Sequence, residues 1–371
     1  MLKPLLATLL CLLANISVAN THDVYFGTSG KLTKGIYHAV FDDETGKLSP
    51  ANLVVQVNGS NFMAMDVAKS HLYVLDGAAH VLAYKIEKDA GLTLLNSVDI
   101  GDGGGAHISL HPSGKFLLTA QYGGGSLAVF LIIENGKLGE RSQLIDHQGG
   151  SKIVGNRQDS PHPHWTGYSP DGQYAFVPDL GLDKIVVYKI DLDTVTVKSH
   201  GTIDALAGAG PRHMRFSADG QFIYLLNELS LSVTTFKYDA AHGTATRLST
   251  TQALTQQTKD KEMFNSSSEI LVHPNGNFIY SANRGHDSVT VYHADPNTGK
   301  LDLKEVEAIR GSWPRNINLD PSGKWLLAAG AHSNTISVFQ IDQNNGELTF
   351  QTNGIISVPG PICILFGKAN Q

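Results

Sequence analysis

Cysteine is nearly absent: the 371 residues hold 2, Cys11 and Cys363. A disulfide framework of the kind that staples small secreted domains is therefore excluded, and packing must hold the fold. Charge is scarce too, 17% Asp, Glu, Lys and Arg against roughly 25% in typical soluble domains. With 28 Lys and Arg against 34 Asp and Glu, the net charge of -6 offers no basic footprint for a polyanion, so nucleic acid is not an expected partner. No segment reaches the roughly 18 unbroken apolar residues of a membrane helix. Glycine, by contrast, is abundant at 38 residues, about 10% where about 7% is usual. Together with 42% hydrophobic residues, this points to many tight turns joining buried strands.

Residues 1–19 read as an export signal. Lys3 supplies a positive start, Leu5 to Leu13 a short apolar run, and Ser17-Val18-Ala19 small residues at a cleavage spacing. Cys11 follows Leu10 and not the small residue of a lipoprotein site, so it belongs to the apolar run. The expectation is a periplasmic or secreted protein, off the membrane after cleavage, in which residues 20–371 form one domain and Cys363 has no disulfide partner.

A repeat organises that domain. Five segments share a turn that ends in glycine between strand-like stretches: Leu110-His-Pro-Ser-Gly114, Tyr168-Ser-Pro-Asp-Gly172, Phe216-Ser-Ala-Asp-Gly220, Val272-His-Pro-Asn-Gly276 and Leu319-Asp-Pro-Ser-Gly323. Proline presets φ in most of them, and the glycine accepts φ > 0. The glycines are spaced by 58, 48, 56 and 47 residues. A weaker copy, Met65-Asp-Val-Ala-Lys69, lacks the glycine. Each unit holds about four short strands and no helical periodicity, the mark of an all-β seven-bladed β-propeller with about 50 residues per blade. First strands are expected at Asn61, Ala106, His164, Arg212, Ser268, Arg315 and Cys363. The unpartnered N-terminal strand Asp23 to Gly27 is expected to pair with Cys363 to Phe366, closing the ring and removing an exposed edge.

In a hairpin, residues equally far before and after the turn lie side by side. Eight before the turn glycine stand Ala106, His164, Arg212, Ser268 and Arg315, and eight after it Tyr122, Leu180, Glu228, Arg284 and Ala331. Seven before stand His107, Trp165, His213, Glu269 and Asn316, and seven after Gln121, Asp179, Asn227, Asn283 and Gly330. All fall at one end of the two inner strands, around the mouth of the central channel. Three arginines, three histidines and three carboxylates converging there suit an anionic, oxygen-rich small molecule. Turn residues such as Asp171, Asp219 and Asp320 are explained by turn chemistry alone.

Gly210-Pro-Arg-His213 followed by Leu226-Asn-Glu-Leu229, Ala282-Asn-Arg-Gly-His-Asp287, Pro161-His-Pro-His164 and Tyr122-Gly-Gly-Gly-Ser126 resemble the seven-bladed lactonase family. That family includes bacterial propeller-type 6-phosphogluconolactonases and the fungal carboxymuconate cycloisomerase. The resemblance runs from Tyr25-Phe-Gly-Thr28 to Pro361-Ile-Cys363 and implies catalytic roles for His164 or its neighbour His162, and for Arg212, Glu228 and Arg284. Substrate contacts are expected from His162, His107, His213, Asn227, Asn283, Glu269, Arg315 and Asp179. The repeat before the five clear copies departs from the family, with Asp76-Gly77 where Asn-Glu is frequent.

Opening a lactone needs an activated water, a stabilised oxyanion and a grip on the polyol or acid tail. Glu228 or His164 can serve as base, Arg212 and Arg284 as oxyanion or carboxylate partners. No Gly-x-Ser-x-Gly elbow is present. His162 and His164 at i, i+2, with His286-Asp287 nearby, give too weak a ligand pattern for a metal, so neither metal nor cofactor is expected. The expected protein is a monomeric hydrolase of a sugar lactone or similar anionic sugar-like substrate. The export signal leaves open an unphosphorylated lactone, because the phosphorylated one of the pentose phosphate route is cytosolic. A lactonising cycloisomerase and a non-enzymatic binding or scaffold propeller are the alternative readings.

Overall fold

The computed structural model describes residues 20–370; the proposed export signal lies outside them. Among the described residues, seven antiparallel sheets form a ring, and regular helix is confined to Gln256–Lys259 and a 3-10 turn at Glu134–Gly136. The first strands meet around the axis: Ser60–Met65 packs on Gly105–Leu110 and Pro361–Asn370, and Pro211–Phe216 on Ser266–Val272.

The second strand of each blade is covered on both faces by the adjoining blades. Phe116–Gln121, Tyr174–Asp179, Phe222–Asn227 and Trp325–Gly330 are buried at every position. Outer strands alternate instead, as in Leu138–Asp146, because one face meets water. The core therefore lies between blades, where Phe278, Tyr280, Leu326 and Phe339, for example, share one cluster. Each such side chain contributes about 1.5–3 kcal/mol of burial.

Closure follows the sequence expectation. Thr21–Thr28 pairs antiparallel with Pro361–Asn370, Tyr25 opposite Leu365 and Phe26 opposite Ile364. Thr21–Thr28 also pairs with Gly35–Asp42, which carries Lys47–Leu48 and Asn52–Gln56 on its far edge. This closing blade packs Val24, Phe26 and Phe41 on Trp325 and Val338 on one side, and Tyr25 and buried Cys363 on Met63 and Val74 on the other.

The repeated turns share one backbone conformation, with φ of 70°, 71°, 71°, 77° and 73° at Gly114, Gly172, Gly220, Gly276 and Gly323. Lys69 replaces the glycine in the weaker copy and still takes φ 51°, while its Nζ donates to Gly367 O at 2.6 Å. One expected strand differs. Around His164 the first strand shrinks to Gly167–Tyr168 plus a single bridge from Pro163 to Asp179, because Pro161 and Pro163 have no N–H to give a ladder.

Candidate active site

Strand ends and loops from all seven blades enclose a cavity of about 860 Å³ at one end of the channel. The positions eight residues from each turn glycine line it: Ala106, His164, Arg212 and Arg315 before the turn, and Tyr122, Glu228, Arg284 and Ala331 after it. Ser268 and Leu180 do not. Ser268 Oγ bonds Pro314 O in the next blade, and Leu180 is fully buried.

The positions one residue nearer the turn mostly face elsewhere, since successive strand side chains point to opposite sides. Most of the expected substrate contacts therefore lie outside the cavity lining. Asn227 Nδ2 donates to Ser232 and Thr234 Oγ atoms at 3.0 and 2.9 Å, and Asn283 repeats the pattern with Ser288 and Thr290 at 3.1 and 2.9 Å. Asp179 Oδ1 accepts the His162, Gly181 and Leu182 amides, while Oδ2 pairs with His147 Nδ1 at 2.7 Å. His162 lies off the cavity, stacked on Tyr122 at 4.5 Å with Nδ1 donating to Tyr122 O. His107 is buried between Phe62 and Trp165, at ring distances of 4.4 and 5.4 Å. Glu269, 1% exposed, lies beneath the floor. Of the eight expected contacts, His213 and Arg315 line the cavity.

Glu228 is the focus of the charged residues. Arg212 Nε donates to its Oε2 at 2.8 Å, Arg157 Nη2 to its Oε1 at 2.7 Å, and Arg284 Nη2 lies 3.2 Å from Oε2. Burial opposes the charge on Glu228, but Arg284 and Arg212 outweigh it and hold the carboxyl far below the usual carboxylate range. Arg212, 2% exposed, is pushed down to about 9 by burial and then by Arg284, and stays cationic at neutral pH. Its Nη1 bonds Ser268 O and His213 Nε2. A guanidinium only donates, so His213 Nε2 accepts and Nδ1 carries the proton that reaches Glu269 Oε1 at 2.9 Å. Glu269 also takes Arg215 and Asn316, at 2.9 and 2.8 Å.

The lining carries Lys31, Arg157, Arg212, Arg284 and Arg315 against Glu228. Among the described residues Arg315 has no carboxylate partner within ion-pair distance, and burial followed by Arg284 lowers it to about 10. On a chain of net charge -6 this cavity is a local positive field that draws in anions and electron-rich oxygens.

Three histidines beneath and within the cationic ring are held neutral. Burial, then Arg212, depresses His164 and His213 well below the ordinary imidazole value; burial, then His213, does so for His107. In the unfolded chain each titrates near about 6.5. The folded pKa being the lower, the stabilisation is complete above about 6.5 and is lost as pH falls, by about 1.4 kcal/mol per pH unit for each histidine. Urea unfolding at about pH 7, 6 and 5 is expected to show that accelerating loss. A stability flat across this window would mean that the folded protein protonates these rings freely.

An aromatic wall stands beside the charges. Trp313 stacks on His332 at 4.6 Å and on Phe264 at 5.7 Å, with the Arg284 guanidinium 5.4 Å from its ring centre. Trp313 has φ 64°, a conformation that costs a bulky residue about 1–3 kcal/mol. It persists because Asp287 Oδ1 accepts the Trp313 amide at 2.7 Å and Ala331 N donates to its carbonyl at 3.0 Å. Phe264 sits against Gly285, where a Cβ would come within 1.8 Å of Phe264 O. Asp287 is thus occupied with backbone, and His286 Nδ1 pairs with Ser288 Oγ at 2.8 Å. Among the described residues no group of three His, Cys, Asp or Glu side chains is placed to share a metal ion.

Arg157, Phe264, Trp313 and His332 escaped the repeat frame. Arg157 and Phe264 belong to the two long repeats, spaced 58 and 56 residues where the others take 48 and 47. Those excess lengths were the available signal, because both insertions fold over the mouth.

Residues 23–366 match the family described as "Lactonase, 7-bladed beta-propeller". The chain belongs to this lactonase family. It is 33% identical to the 6-phosphogluconolactonase of Bacillus subtilis (strain 168) over 350 residues, 92% of this chain and 98% of that one. Against the 6-phosphogluconolactonase of Formosa agariphila it is 32% identical, over 79% of this chain and 84% of the relative. The structure superposes on the periplasmic gluconolactonase of Pseudomonas aeruginosa with a TM-score of 0.87 and 26% identity, covering 94% of this chain and 100% of that one. In this lactonase-family chain His164, Arg212, Glu228 and Arg284, four of the positions that the resemblance singles out, all line one cavity.

Proposed function

We infer that the protein hydrolyses a sugar lactone in this cavity. The observation that carries the reading is a carboxylate clamped by three guanidiniums, Glu228 with Arg157, Arg212 and Arg284, next to the neutral imidazole of His164, whose Nδ1 is buried without a hydrogen-bond partner. Relatives named 6-phosphogluconolactonase and gluconolactonase support the reaction class.

His164 is the base in this reading. Both carboxylate oxygens of Glu228 are engaged by guanidiniums, whereas His164 Nδ1 is unpartnered, and the part of Glu228 is to hold Arg212 and Arg284 in place. A water oxygen bonds to the lactone carbonyl carbon while its proton passes to His164. Negative charge develops on the carbonyl oxygen, where Arg212 and Arg284 stabilise it. Collapse breaks the bond from the carbonyl carbon to the ring oxygen, which takes the proton back from His164. The hydroxy acid then ionises and releases one proton to solution.

The proposal uses no cofactor and a single chain, and places the reaction outside the cytoplasm. The periplasmic gluconolactonase neighbour supports that location, and no described helix is long and apolar enough to cross a membrane. Proton release from glucono-δ-lactone and from 6-phosphogluconolactone is the test. Acceleration of at least one above its spontaneous rate is expected, and the preferred one tells whether the cationic field serves a phosphate. If neither is accelerated, the hydrolase reading fails.

A further inference from the structure

The cavity is larger than the chemistry needs. At about 860 Å³ it sits near the top of the roughly 300–1,000 Å³ range of pockets for drug-sized ligands, whereas a monosaccharide lactone is far smaller. The charged cluster around Glu228 accounts for part of the lining. Beside it, Phe264 and Leu32 line the cavity while 50% and 71% exposed, and Phe264 stacks on Trp313, which stacks in turn on His332. Large apolar side chains left open at a concave site mark where a ligand binds. One face of Phe264 packs on Trp313, so the ring is held at a fixed tilt and is not a loose side chain.

The polar groups interleaved with these rings narrow the ligand class. Asn334 also lines the cavity, its Oδ1 accepting the Gly360 amide at 2.8 Å, which directs its Nδ2 donors to other partners. Lys31 lines it as well. A pyranose ring presents an apolar C–H face with hydroxyls around its edge, which calls for flat aromatic surface bordered by hydrogen-bonding groups. A lipid or a purely aromatic ligand would leave the polar groups unpaired at a cost.

We propose that the wall formed by Phe264, Trp313 and His332 is a second sugar subsite, so that the substrate is a lactone extended by another pyranose ring, the lactone of a disaccharide aldonic acid. The proposal rests on the lactonase reading for the word substrate, but the subsite is measurable without turnover. Both ligands of the test are stable, ring-opened acids with the same carboxylate. Cellobionate is expected to bind the full chain about tenfold tighter than gluconate by calorimetry. Phe264→Ala is expected to bring that ratio close to one, and Phe264→Tyr, which keeps the ring, to retain it.

Equal affinity for the two acids in the unaltered protein overturns the subsite, and so does a Phe264→Ala variant that keeps the full ratio. Phe264 is half exposed, so its variants are expected to fold, and circular dichroism checks this. Selective binding of cellobionate without hydrolysis of any lactone would sink the hydrolase reading and leave the subsite standing. Hydrolysis of glucono-δ-lactone without discrimination between the acids would do the reverse.

Discussion

Glu228→Gln is expected to lower folding stability by about 3–5 kcal/mol and to reduce lactone hydrolysis by at least about a hundredfold. Both carboxylate oxygens are engaged, Oε1 by Arg157 and Oε2 by Arg212 and Arg284, and the side chain is 5% exposed. Glutamine has nearly the same shape but carries no charge, and its amide N–H groups would point at guanidiniums that can only donate. Four arginines would then share one cavity with no anion among them. Repulsion there drives Arg212 and Arg284 apart, so the oxyanion site is lost with the stability. Thermal unfolding and proton release on the same preparation check both parts. Because the defect is missing negative charge, added phosphate is expected to recover part of the stability by binding the folded state. A variant as stable as the parent in salt-free buffer would show that the arginines do not depend on Glu228.

His164→Asn is expected to separate the two effects. The lactone-opening rate falls by about 100- to 10,000-fold if His164 is the base, while stability at neutral pH changes by less than about 1 kcal/mol. The small stability effect follows from a ring whose Nδ1 is buried without a partner, so that its replacement breaks no hydrogen bond of that atom. The acid sensitivity should also shrink by one histidine's share, leaving His107 and His213. Stopped-flow proton release and urea unfolding at two pH values read these separately. Hydrolysis retained within a few-fold would move the role of base away from His164.

The repeat of turn glycines located the blades, the ring closure and the end of the channel where charged residues gather. Those features were legible because each is local: a Gly at φ near 70°, a strand on either side, and a count of eight residues to the mouth. The count also brought His164, Arg212, Glu228, Arg284 and Arg315 to one cavity. One residue along the strand the same count failed, since Asn227, Asn283 and Asp179 turn into their own blades to satisfy buried hydroxyls and amides. Position in a hairpin says which end a residue occupies; the local pleat and bulges say which way it points.

By itself, then, the sequence determined the architecture and the chemical character of the channel mouth, because a repeated turn and a two-residue side-chain period are encoded within a few neighbouring residues. Only the tertiary structure decided that Arg157 completes the clamp on Glu228 and that Phe264, Trp313 and His332 build one wall. Arg157 and Glu228 are 71 positions apart, and no periodicity links an inserted loop to the strand it covers. Closing the ring brings them together, and burial in that shared cavity sets which of the charged and imidazole groups keep their protons.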